Sequence, residues 1–151
     1  MDWVLDEIRA IASGKGSRHD RARRIAAGIK NLSQYRWVGV YDVGVELVTI
    51  IAFSGPAAPA HPTFSVTQGL TAAAIKRKLP VMVNDVRIDG RYLTAFGSTA
   101  SEIIIPVLAS KDGSVIGTID VESEHTNAFS QRDQDMLTEC ARAALPLWVT
   151  D

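Results

Sequence analysis

The sequence predicts an α+β domain built on an antiparallel sheet. Three observations carry this. Helix-period apolar stripes are found at the two ends of the chain. Between them lie about five segments of strand composition, and those strands meet in hairpins rather than alternating one by one with helices. At 151 residues the chain is read as a single domain spanning 1–151, large enough to bury a core without disulfides or a metal.

Taken in order, residues 2 to 13 place Val4, Leu5, Ile8, Ile11 and Ala12 on one helical stripe, with Asp2 positioned as its cap. "GKG" at 14 to 16 breaks that helix. Ser17 opens a second, "SRHDRARRIAAGIKNLS", whose apolar face is Ala22, Ile25, Ala26, Ile29 and Leu32. Its other face carries Arg18, Arg21, Arg23, Arg24 and Lys30. That face reads as solvated or as the rim of a helical interface, with a phosphate-binding stripe as the alternative. From Tyr35 the composition turns to β-branched and aromatic residues: "YRWVGVYDV" and "VELVTIIAF" meet at Gly44 as a hairpin. "SGPAAPAHPTFSVTQG" has three prolines and reads as loop throughout. "LTAAAIKRK" is a short helix ending before Pro80, "PVMVNDV" a strand, and "RIDGRYLTAFGSTA" a second long loop. "SEIIIPVLASKDGSVIGTIDVES" (101 to 123) is a hairpin turning on Asp112–Gly113. The final helix, "SQRDQDMLTECARAALPLW", opens on Ser130 with Asp133 three residues later, a capping box with Asp in place of Glu. Phe129, Met136, Leu137, Cys140, Ala141, Ala144 and Leu145 form its stripe. The terminal helices are expected on one sheet face, and the long loops with the short helix on the other, over a pocket.

Composition narrows the function. The chain is 46% hydrophobic and 22% charged, with a net charge of −1, a balance that points away from nucleic acid and anionic membrane as partners. No apolar run approaches the roughly 20 residues of a membrane-spanning helix. The first residues lack the basic segment and apolar stretch of a signal peptide, and a cytoplasmic location is expected. The single cysteine, Cys140, excludes an internal disulfide and a cysteine-only metal site.

The unusual feature of the last hairpin is its carboxylates. Strand alternation separates Val115, Gly117, Ile119 and Val121 from Ile116, Thr118, Asp120 and Glu122, so both acids project to the loop-covered side. Hairpin register brings Glu102 opposite Glu122 or Ser123. Three acids that close raise one another's pKa unless a cation or donor satisfies them. Two readings stand: strand-end charges in water, or a site for an ammonium group, a metal or a polar small molecule. Trp37 and Tyr41 share a strand face, as core or as a stacking wall for a ligand. His61 lies in the proline-rich loop and His125 just after the acid pair; they read as exposed loop residues, with metal ligation beside the carboxylates as the alternative, and no motif assigns a metal, a cofactor or a catalytic residue. Cys140 sits on an apolar stripe, the position of a core or interface residue.

The order of elements, with "SEIIIPV", "GSVIGTIDVES" and "FSQRDQDML", resembles a GAF domain over residues 17 to 145. The tail follows G-x-(V/I)-G-x-(I/L)-x-V and F-(S/T)-x-x-D-x-x-L. Within that superfamily the chain is most similar to the free methionine-(R)-sulfoxide reductases: "WVGVY" matches their W-x-G-x-Y strand, and "GP" at 55–56 matches the start of their long loop. The resemblance places Trp37, Tyr41, Glu102, Asp120 and Glu122 at that family's substrate-pocket positions. It also exposes a departure. Those enzymes attack the sulfoxide with loop cysteines, whereas Thr71 stands in place of one and Ala95 about where the other falls. The expectation is therefore a small-molecule-binding sensory or regulatory module without thiol reductase activity, taking a small polar metabolite and pairing as a homodimer through its terminal helices. Alternatives are a reductase-like enzyme, a degenerate homologue that still binds a methionine-like amino acid, an enzyme using the carboxylates as acid and base, a cyclic-nucleotide sensor, or a dimerisation module.

Overall fold

The computed structural model describes residues 2–33, 35–94 and 96–149. Ala95 and the side chain of Asp2 lie outside the described residues, and with them the loop position and the helix cap expected there. Two helices lead, α1 (Asp2–Ser13) and α2 (Arg18–Lys30), followed by β1 (Trp37–Val43) and β2 (Leu47–Ser54). β3 (Thr63–Ser65), α3 (Gly69–Arg77) and β4 (Val81–Val83) come next, then a 3₁₀ turn at Val86–Ile88. β5 (Ser101–Leu108), β6 (Val115–Ser123), α4 (Gln131–Ala144) and a closing 3₁₀ turn at Leu145–Trp148 complete the chain. The strands form one antiparallel sheet in the order β3-β2-β1-β6-β5-β4. This is the expected α+β architecture.

Three details differ from the sequence reading. The proline-rich loop contains a sixth strand: Thr63 and Ser65 pair with Thr49 and Leu47 at the edge of the sheet. Three residues are too few to show alternation, and the pairing is written in the partner strand. "PVMVNDV" contributes only Val81–Val83, because the chain leaves the sheet at Asn84, whose carbonyl accepts from the Asn127 amide at 2.9 Å. The second helix ends at Lys30, capped by Asn31.

The sheet is a partition. Val38 and Val40 of β1, Ile103, Ile105 and Val107 of β5, and Ile119 and Val121 of β6 face α1, α2 and α4, forming a dry core with Ile8, Ile25, Ile29, Leu137 and Cys140. The alternate residues face α3 and the loops. Capping follows the sequence: Ser17 Oγ accepts from the Asp20 amide, and Ser130 and Asp133 form a reciprocal capping box. Asp133 also accepts from the Tyr35 hydroxyl at 2.7 Å, joining α4 to the entry of β1.

Much of the basic face of α2 is used within the chain. Arg18 forms a two-pronged pair with Asp42 at the end of β1 and donates to the Leu147 carbonyl at 3.0 Å. Arg21 donates to the carbonyls of Ala12 in the last turn of α1 and of Gly16 after it, and Arg23 pairs with Asp20. Ala12, Ala141, Ala143 and Ala144, small residues of the terminal helices through which pairing was expected, are buried inside the single chain, whereas Ala10 is exposed. Among the described residues no helix is long and apolar enough to cross a membrane.

Candidate functional site: a buried carboxylate cluster

β1, β6 and β5 lie side by side, and their register builds the site. Trp37 stands opposite Glu122, Gly39 opposite Asp120, and Tyr41 opposite Thr118. On the other side of β6, Glu102 stands opposite Glu122, as hairpin counting predicted, and Ile104 opposite Asp120. All these side chains share the loop-covered face. One oxygen from each of Glu102, Asp120 and Glu122 falls within a span of 4.8 Å. The carboxylates are far from solvated: the residues are 5%, 7% and 1% exposed. The strand-end reading of the acids is thereby excluded.

Few partners meet these charges. Glu122 Oε1 accepts from the Thr99 hydroxyl at 2.8 Å and, at 3.4 Å, from the Tyr92 hydroxyl. Asp120 Oδ1, Glu122 Oε2 and the hydroxyl of Thr118 are buried without a hydrogen-bond partner. Every ion pair among the described residues engages other acids. The protonation equilibria shift accordingly. Burial, reinforced by the Asp120 charge, pushes the Glu122 carboxyl up to about 8, against the pull of the Thr99 and Tyr92 hydroxyls. Burial raises Asp120 to about 6, opposed by a hydrogen bond from Glu102. Glu102 is raised well above the carboxylate range by burial and then by its two acidic neighbours. The same burial and charges raise the Tyr41 phenol.

An aromatic wall bounds the acids. Trp37 stacks on Phe53 with ring centres 6.0 Å apart and meets the edge of Phe96 at 5.3 Å. Tyr41 packs against Phe64 at 5.9 Å. The Trp37 indole N–H donates to the Ala57 carbonyl at 3.1 Å, which fastens the proline-rich loop over the sheet. Gly39 makes room for this packing. A Cβ there would lie 2.2 Å from the Trp37 ring and 2.8 Å from the Tyr41 ring.

The acids separate two small cavities. One, about 30 Å³, is lined by Glu102, Asp120, Tyr41, Leu70, Thr71 and Leu93, with His61 at its rim. The other, about 100 Å³, lies between Trp37, Phe96, Pro56, Thr99 and Glu122. The structure therefore brings all five expected site residues together. His125 is not among them: it is exposed beyond β6, and its carbonyl accepts from the Ser101 hydroxyl. Cys140 lies in the dry core across the sheet, its thiol pushed up to about 12 by burial. Sequence reasoning missed Thr99, Tyr92 and Phe96. They sit in a loop whose path no periodicity records.

Fold and site together define a single-sheet α+β domain with a loop-roofed, acid-lined pocket. The profile of the GAF domain matches residues 17–144, and the chain belongs to that family. GAF domain-containing protein A of Dictyostelium discoideum is 27% identical over 137 residues, covering 90% of this chain and 84% of that protein. The free methionine-R-sulfoxide reductase of Saccharomyces cerevisiae is 28% identical over 109 residues; the match covers 70% of this chain and 59% of the yeast protein. Among solved structures, the type II free methionine-R-sulfoxide reductase from Thermoplasma acidophilum is 32% identical, with a TM-score of 0.76 over 87% of this chain and 94% of that one. The enzyme from Neisseria meningitidis in complex with its substrate is 26% identical, with a TM-score of 0.84 over 96% and 86% of the respective chains.

Proposed function

We propose that the chain is a small-molecule-binding GAF module of the cytoplasm, sensory or regulatory, whose ligand presents a cationic or hydrogen-bond-donating group to Glu102, Asp120 and Glu122. One observation carries this reading: three carboxylates are buried together beside the Trp37–Tyr41 wall with two of their oxygens unpartnered. A buried polar group left unpaired costs about 1–3 kcal/mol and a charged one more, so a cluster of this kind is compensated by what it binds. The low dielectric beside the aromatic wall strengthens each contact to an incoming donor.

A reductase is the second reading, favoured by the likeness to the Thermoplasma acidophilum enzyme. Against it stands the chemistry of the pocket. Reduction of a sulfoxide by a thiol needs an accessible thiolate, and the one cysteine is buried on the opposite sheet face. Thr71 lines the pocket where the resemblance calls for a nucleophilic sulfur, and a hydroxyl forms no sulfur–sulfur intermediate.

Native mass spectrometry of the purified protein, followed by calorimetric titration with the released molecule, tests the module. Binding that weakens in Asp120→Asn and Glu122→Gln supports it. The assay for the second reading is thiol-dependent consumption of free methionine-(R)-sulfoxide, where no turnover is expected. Turnover that survives Cys140→Ser, or is abolished by it, would overturn the assignment.

A further inference from the structure

The spacing of the three acids points to a metal ligand set. One oxygen from each of Glu102, Asp120 and Glu122 lies within 4.8 Å of the others. Hard cations of calcium size bind oxygens at about 2.3–2.6 Å, so ligands on opposite sides of one ion stand about 4.6–5.2 Å apart. Magnesium binds at about 2.0–2.1 Å and spans only about 4.2 Å. All three oxygens therefore lie within reach of one ion of calcium size, whereas an ion of magnesium size reaches only separations up to about 4.2 Å. A second observation points the same way: Asp120 Oδ1 and Glu122 Oε2, on side chains less than a tenth exposed, have no hydrogen-bond partner. The adjoining cavity of about 30 Å³ has room for one or two waters to extend the coordination shell. With the roof in place it is too small for an amino acid. Carboxylates without imidazole or thiolate are a donor set suited to hard ions.

We infer that Glu102, Asp120 and Glu122 form a binding site for one hard divalent cation of calcium size at the floor of the pocket. The inference rests on the reading of this pocket as a ligand site and names the class of ligand at its deepest point. Thr99, donating to Glu122 Oε1 at 2.8 Å, orients that carboxylate from the loop.

Calcium titrated calorimetrically into chelator-treated protein tests it. The expected result is one saturable site per chain, weaker binding of magnesium, and affinity reduced about tenfold or more in both Asp120→Asn and Glu122→Gln. These amides keep the shape of the acids and remove buried charge, so the variants should unfold as cooperatively as the parent in a thermal melt, which is measured in parallel. Terbium, a calcium-sized probe, should luminesce on tryptophan excitation, and excess calcium should quench that signal by displacing it. Absence of saturable calcium binding at millimolar concentration, affinity unchanged in both amide variants, or tighter binding of magnesium would each overturn the inference. If calcium does not bind but a co-purified organic cation binds and is lost in the same variants, the pocket reading stands and only the metal falls. Calcium binding with no organic ligand found leaves the metal site and removes the metabolite-sensing reading.

Discussion

Glu122 is the most deeply buried of the three clustered acids. It is 1% exposed, stands beside Glu102 and Trp37 across the strands, and is held by Thr99 from the loop. Its carboxyl is displaced from 4.5 to about 8 chiefly by burial. An acid whose folded pKa exceeds its unfolded value binds more protons folded than unfolded, so stability is full below the unfolded pKa and is lost as pH rises through the folded one. The ligand-free, metal-free protein should therefore melt at falling temperature as pH rises from about 4.5 to about 8. Each fully titrating group contributes up to about 1.4 kcal/mol per pH unit. Glu122→Gln should flatten the profile and raise the melting temperature at the alkaline end. A flat profile in the parent would mean that the acids already have a charge partner.

β1 shows how far the sequence could be read. Its alternation placed Trp37 and Tyr41 on one face, and that of β6 placed Asp120 and Glu122 beside them, because a period of two leaves no freedom once a strand is paired. β3 and the hydroxyls of Thr99 and Tyr92 were illegible for the complementary reason: an edge strand of three residues and a loop take their conformation from partners distant in sequence. The Ser130–Asp133 capping box was legible because its chemistry is local. The same strand carries a prediction. Gly39 lets the Trp37 and Tyr41 rings close over the backbone, and an added Cβ would meet the indole at 2.2 Å. Gly39→Ala should cost about 1–3 kcal/mol, the range for overpacking. It should also alter the near-ultraviolet circular dichroism of the tryptophans, with β-structure retained. Denaturant unfolding with an unchanged midpoint would show that the rings relax freely.

At the scale of the whole molecule, we propose that the chain pairs as a homodimer, with the surface between α1 and α2 as the contact. Ala12 of α1 and Ala141, Ala143 and Ala144 of α4 are spent inside the chain. Trp3 is 68% exposed beside a groove formed with Val4, Ile8, Ile11, Gly28 and Leu32. Sedimentation at tens of micromolar is expected to give a dimer that Trp3→Glu dissociates, and a monomeric parent would remove the proposal. The partition made by the sheet has an evolutionary consequence. α1, α2 and α4 bury their apolar faces on one side, while α3, the loops and the residues of the proposed ligand site lie on the other. Substitutions under the roof can change what is bound without disturbing the layer that holds the strands together. Selection on recognition and selection on folding thus act on different residues of the same three strands, and a change of ligand does not require a new fold.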